Sequence, residues 1–133
     1  MDLFCKARSA PNKKFIYQSM TDHLIIFQKL YDLYLYTHKS VTKFPKCQRF
    51  LISNKLLESN LEMFRLTIVA NSKSDRREEQ KQISVILDIF RIHVRLSKDL
   101  NLLSIKKYSH FMELINEIGR LLNAWQNSIK QNL

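Results

Sequence analysis

Between Ile83 and Leu96 the chain carries apolar residues on two opposite sides of a helix. At about 100° per residue, Ile83, Leu87, Phe90 and Val94 fall within about 60° of one another. Val85, Ile89, Ile92 and Leu96 make a second stripe roughly opposite, and Arg91, Arg95 and Lys98 line one flank between the two. A surface helix of a monomeric bundle needs one apolar stripe. Two stripes call for two packing partners, one inside the protomer and one outside it. Leu66 and Ile89 exemplify the second-stripe residues expected to make contacts between protomers.

The rest of the chain extends this helical reading. One glycine and two prolines in 133 residues are too few breakers for an all-β fold built on many tight turns. The length suits one domain with a real core rather than two. Periodicity and capping signals place helices at about 21–38, 45–71, 76–99 and 105–129, a bundle domain over 19–129. On the first, Phe27, Leu30, Tyr31 and Tyr34 form the most coherent face. Pro45 suits the first turn of the second, where its missing N–H costs nothing. There, Phe50, Leu57, Leu61, Phe64 and Ile68 make the expected core stripe, and Leu56, Met63, Leu66 and Ala70 the second, outward one. Asp75 with Glu78 has capping-box spacing for the third helix, and Ser104 is a good N-cap for the fourth, with Leu103 and Tyr108 as a hydrophobic staple. The fourth helix buries a broad face of Tyr108, Phe111, Met112, Ile115, Ile118, Leu122 and Trp125. Gly119 interrupts it, and close backbone packing is the expected reason for a residue that costs about 1 kcal/mol relative to Ala. Four helices with short links predict an all-α, antiparallel up-down four-helix bundle. A basic tail is expected over residues 1–18, with Met20 an alternative start, and a short tail over 130–133.

Charge is the main lead to function. A net charge of +10, from 22 Lys and Arg against 12 Asp and Glu, suits nucleic acid, an anionic membrane surface or an acidic protein. A merely basic soluble surface is the plain alternative. Lys46, Arg49, Arg76, Arg77, Lys81, Arg91, Arg95 and Lys98 are the candidate phosphate contacts, with Lys106 and Lys107 secondary. Such cations bind phosphates through counterion release, with little base specificity. Against this, any one of them can be paired internally, with Glu78, Glu79, Asp88 or Asp99 within reach along the helix. Tyr31, Tyr34 and Tyr36 could stack on bases, although at helical spacing on apolar segments they more often pack in a core.

Catalytic and metal signatures do not emerge. His23, His38, His93 and His110 lie on different predicted elements, and none forms a His-x-x-x-His or HExxH pair. Glu113 and Glu117 lack the His three residues on that a di-iron bundle requires. The single glycine rules out a Gly-rich phosphate loop. No cofactor or metal is expected. Cys5 and Cys47 have no metal-type spacing and read as free thiols of a reducing compartment. With no apolar run fitting a secretory signal or a membrane span, a cytoplasmic protein without a membrane partner is expected.

Three segments, KFPKCQRF at 43–50, RLSKDLNLLSIKKYSHF at 95–111 and EIGRLLNAW at 117–125, resemble the Avd family. These are the accessory variability determinant proteins of diversity-generating retroelements. The resemblance spans roughly Thr21 to Trp125. It implies a four-helix protomer that assembles into a barrel-like homopentamer. It also implies a non-enzymatic role, binding the element's reverse transcriptase, its template RNA and cDNA in support of mutagenic reverse transcription. On that reading Leu56, Met63, Leu66, Val85, Ile89, Ile92 and Leu96 are the oligomer interface. The four-helix proteins encoded in ribosomal RNA intervening sequences are similar in the same segments, and imply a structural role outside a retroelement. Asn123-Ala124 departs from the small residues, such as Gly-Gly, common before the family's Trp.

Overall fold

A computed structural model describes residues 22–131, with side chains from 24 to 127. The tail expected over 1–18, Met20, Cys5 and residues 132–133 lie outside the described residues, as does the side chain of His23. Four long helices run α1 (Asp22–Val41), α2 (Asn54–Asn71), α3 (Arg77–Asp99) and α4 (Ile105–Gln131). Each packs against its neighbours in chain order, and α1 closes on α4, so adjacent helices are antiparallel. No strand occurs among the described residues. α1 runs one turn beyond its expected end at His38, and α4 extends to Gln131.

The links are short because the helix ends are capped locally. At the end of α3, Asn101 takes a left-handed φ of 61°. Leu102 N–H returns to Ser97 O (2.9 Å) and Asn101 N–H to Lys98 O (2.9 Å), a Schellman arrangement that asparagine tolerates at its left-handed position. Ser104 then caps α4, its Oγ accepting from Lys107 N–H at 3.2 Å. At the start of α3, Asp75 Oδ1 accepts from Arg77 N–H (3.3 Å), but Arg76 occupies the cap position and Glu78 Oε1 accepts from the Gln82 amide instead. The expected capping box is therefore only half present.

The core is a column through all four helices, including Ile26, Leu30 and Leu33 of α1, Ile83, Leu87, Phe90 and Val94 of α3, and Phe111, Ile115, Ile118, Leu122 and Trp125 of α4. Phe27, Tyr31 and Tyr34, expected to lead the face of α1, are only half-buried beside Leu30. Tyr36 packs edge-on against Phe111, with ring centroids 4.7 Å apart. From α2 the core takes Leu56, Met63, Leu66 and Ala70, all almost fully buried. This reverses the expectation for the second helix: Leu56, Met63 and Leu66 fill the protomer's own interior, whereas Leu61 and Ile68 stand 52% and 59% exposed.

Two local features mislead a helical wheel drawn through this segment, one at Phe50 and one along the inward face of α2. The chain enters α2 through a single α turn (Lys46–Gln48) and a π-helical segment (Arg49–Ser53). A π turn inserts one residue, so a helical wheel drawn through it is out of phase by about 100°. Ile52 turns inward, and Phe50 is left 83% exposed. The inward face also carries Asn60, fully buried against α1. With its amide nitrogen toward Leu30 O (3.2 Å) and its oxygen toward Tyr34 N–H (3.1 Å), Asn60 bonds the backbone of α1. Thr67, on the same face, donates to Met63 O at 2.8 Å. A polar pair on the buried side disguises it in a hydrophobicity count.

Gly119 also departs from expectation. A Cβ built there meets Leu87 Cδ2 at 3.8 Å and Arg91 Nη2 at 4.0 Å, ordinary van der Waals contact. The glycine is not required by a close approach of backbones.

Candidate nucleic-acid and assembly surfaces

The second stripe of α3 lies on the outside. Val85, Ile89, Ile92 and Leu96 are 50%, 43%, 58% and 45% exposed, while Ile83, Leu87, Phe90 and Val94 are buried. The bundle satisfies one face of α3 and leaves the other without an apolar partner among the described residues. Apolar atoms left in water in this quantity favour association, because burying them gains about 25 cal/mol per Å².

The ten candidate phosphate contacts divide by their neighbours. At the α2–α3 turn, cations meet acids. Arg77 pairs with Asp75 (3.1 Å), holding that carboxyl below its usual range chiefly by hydrogen bonding. Lys73 pairs with the nearly buried Glu79, whose pKa is likewise lowered, first by the hydrogen bond from Lys73 and then by its own backbone N–H. Arg76 donates to Lys73 O at 3.0 Å. On the flank of α3, Arg91 is held by Asp88 (2.9 Å) and by Asn116 of α4 (3.2 Å), at the mouth of a cleft that also includes Ser84, Gly119 and Arg120. Lys98 lies 3.8 Å from Asp99 and 4.8 Å over the Tyr108 ring. Arg95 and Lys81 are exposed, with no carboxylate within ion-pair distance among the described residues.

The end of the bundle where α1 and α3 finish and α4 begins is different. Lys46, Arg49 and Lys106 are exposed there, and Lys107 is half-buried. The fold adds Lys39 and Lys43, which sequence reasoning passed over because it ended the first helix at His38. α1 continues to Val41, so Lys39 belongs to its last turn, where a cation complements the helix dipole. Lys43 and Lys39 lie within electrostatic range of Lys107. Its ammonium titrates below the usual lysine range, first because burial penalises the charge and then because of these two neighbours. Arg49 lines a nearby groove with His38, Thr42 and Ser53, whose buried Oγ has no hydrogen-bond partner.

Among the described residues no three His, Cys, Asp or Glu side chains come together as metal ligands. His38 stacks on Tyr34, His110 packs edge-on against Tyr36, and His93 is held below its usual pKa, first by burial and then by Lys55. Cys47 is an exposed free thiol. No helix among the described residues is long and apolar enough to cross a membrane.

Among the described residues, the notable surface features of this helical bundle are an exposed apolar stripe and cations without a carboxylate partner. The family profile described as bAvd-like matches residues 24–129, four-fifths of the chain, and the protein belongs to that family of accessory, non-catalytic proteins. No curated protein and no solved structure matches the chain.

Proposed function

We propose that this protein is the accessory subunit of a diversity-generating retroelement. It binds the element's reverse transcriptase together with template RNA and cDNA, and supports mutagenic copying without catalysing it. Membership of the bAvd-like family carries this reading. Two surface features support it. The stripe Val85, Ile89, Ile92 and Leu96 offers a self-association face, consistent with a ring such as a homopentamer. Of the candidate cations, Lys46, Arg49, Lys81, Arg95 and Lys106 have no carboxylate within ion-pair distance among the described residues and are available to phosphates. Repetition around a ring multiplies a modest phosphate affinity through effective concentration.

The deciding experiment is reconstitution. The full chain is mixed with the reverse transcriptase encoded beside it and with template RNA, and co-elution and cDNA yield are measured. Formation of a complex and dependence of cDNA synthesis on the protein are expected. A polymerase that neither binds the protein nor responds to it refutes the proposal.

A further inference from the structure

The groove beside Arg49 lies between the end of α1 and the π-helical entry to α2, and holds a volume of about 310 Å³. Buried Val41 and half-buried Leu57 give it apolar walls. Ser53 also lines it, only 3% exposed, and its Oγ has no hydrogen-bond partner among the described residues. Three other buried hydroxyls in these helices are all spent. Thr37, Thr67 and Ser97 each donate to the carbonyl four residues back, at 2.7–2.8 Å. Ser53 closes the π-helical segment, where the backbone repeat is five residues and the carbonyl four back is out of place. Leaving a buried hydroxyl unbonded costs stability, and π turns recur at functional sites.

The donors and acceptors around the groove select the ligand. Thr42 Oγ1 gives its proton to Lys39 O at 2.8 Å, so toward a ligand it can only accept. Asn54 and Ser53 can each donate and accept, and the Asn54 amide has no partner among the described residues. A phosphate or carboxylate carries acceptors only and leaves Thr42 unused. A nucleobase edge carries both kinds of group. His38 and Arg49 add planar groups of the kinds on which unpaired bases stack. The His38 ring is already aligned by Tyr34, with centroids 6.4 Å apart and planes 26° apart. The volume is at the small end for ligand pockets and suits one planar ring system rather than a length of strand.

We infer that this groove takes one unstacked nucleobase of a single strand, with Ser53, Asn54 and Thr42 on its edge and Arg49 at the rim beside its phosphate. This rests on the nucleic-acid reading above. It adds contact with bases to a surface whose cations alone bind phosphates with little base specificity.

The test uses the full chain at one fixed salt concentration and fluorescent single-stranded RNA decamers of adenine, cytosine or uracil, with an abasic strand of equal length. Fluorescence anisotropy should show at least one base-bearing strand binding about tenfold tighter than the abasic strand. T42V/N54A, on the exposed rim, should bring that difference within twofold while changing abasic binding less than twofold. Ser53→Ala should do the same and melt at or above the wild type, because it removes a hydroxyl that the fold does not use. Equal affinity of all strands for the wild-type protein overturns the base site but leaves phosphate binding standing. A tenfold difference that survives in both T42V/N54A and Ser53→Ala also overturns it, because the bases are then held elsewhere. Absence of binding to any strand overturns both readings.

Discussion

Gly119→Ala should stabilise the protein, and the size of the effect follows from the geometry at the site. Gly119 is the only glycine in the chain and sits inside the longest helix, α4. An added methyl group finds Leu87 Cδ2 at 3.8 Å and Arg91 Nη2 at 4.0 Å, so it makes contact without overlap. The gain is then set by helix propensity, about 0.8–1 kcal/mol, most of it from restricting the unfolded chain. Unfolding entropy of about 2.1 cal/mol/K per residue, over the roughly 110 residues of the described bundle, gives about 0.23 kcal/mol/K. The melting temperature should therefore rise by about 4 °C, measured by far-ultraviolet circular dichroism. Protein concentration must be fixed, because the proposed self-association would shift apparent stability. A melting temperature equal to or below that of the wild type refutes the reasoning. It would show that the glycine is needed for packing, or that the cleft beside Arg91 tolerates no methyl group.

Three other substitutions probe different surfaces. Met63→Ala should cost about 2–5 kcal/mol as a buried deletion, and Leu61→Ala no more than about 0.5 kcal/mol; chemical denaturation with the reverse ranking would show that the outward stripe of α2 is the core. On the proposed self-association, Ile89→Asp should leave circular dichroism unchanged and give a smaller species than the wild type in sedimentation velocity; a variant that sediments as the wild type does removes this stripe from the proposed interface. Glu79 has a folded pKa below its ordinary value of 4.5, so its contribution is complete above that value and is lost as pH falls through the lowered one. Glu79→Gln should accordingly flatten the acid limb of stability against pH below about 4.5 and leave the neutral region parallel to wild type; an unchanged acid limb removes Glu79 as its source.

Periodicity was most readable where the helix was regular and its inward face purely apolar. α3 is regular and, from Ile83 to Val94, its inward face is apolar, so both of its stripes follow from phase alone; Glu79, Gln80 and Ser97 are buried only beyond that stretch. α4 reads the same way, apart from the purpose of Gly119. α2 meets neither condition, because the π-helical entry shifts the phase before Asn54 and the inward face contains Asn60 and Thr67. A buried asparagine is tolerated only where a backbone partner waits, and that partner, at Leu30 and Tyr34, belongs to another helix. Nothing local in the sequence records it. The cations follow the same division. Their number was plain from composition, but which acids reach them was not. Arg91 is tethered by a residue 25 positions away, and Lys107 lies within electrostatic range of lysines at the end of α1.

The two ends of the bundle differ in how fully their charges are answered. α3 alone spans about 35 Å, several times the screening length of about 8 Å in physiological salt. A polyanion therefore feels the two ends separately. One presents Lys39, Lys43, Lys46, Arg49, Lys106 and Lys107 with little opposing charge among the described residues; at the other, Lys73 and Arg77 are each matched by a carboxylate, while Arg76 and Lys81 are not. In the field of a nucleic acid this separation acts as a torque that turns each diffusing protomer cationic end first before any contact forms. Added salt would then slow arrival as well as weaken the bound state. Any assembly that points these ends the same way would inherit a single face of approach.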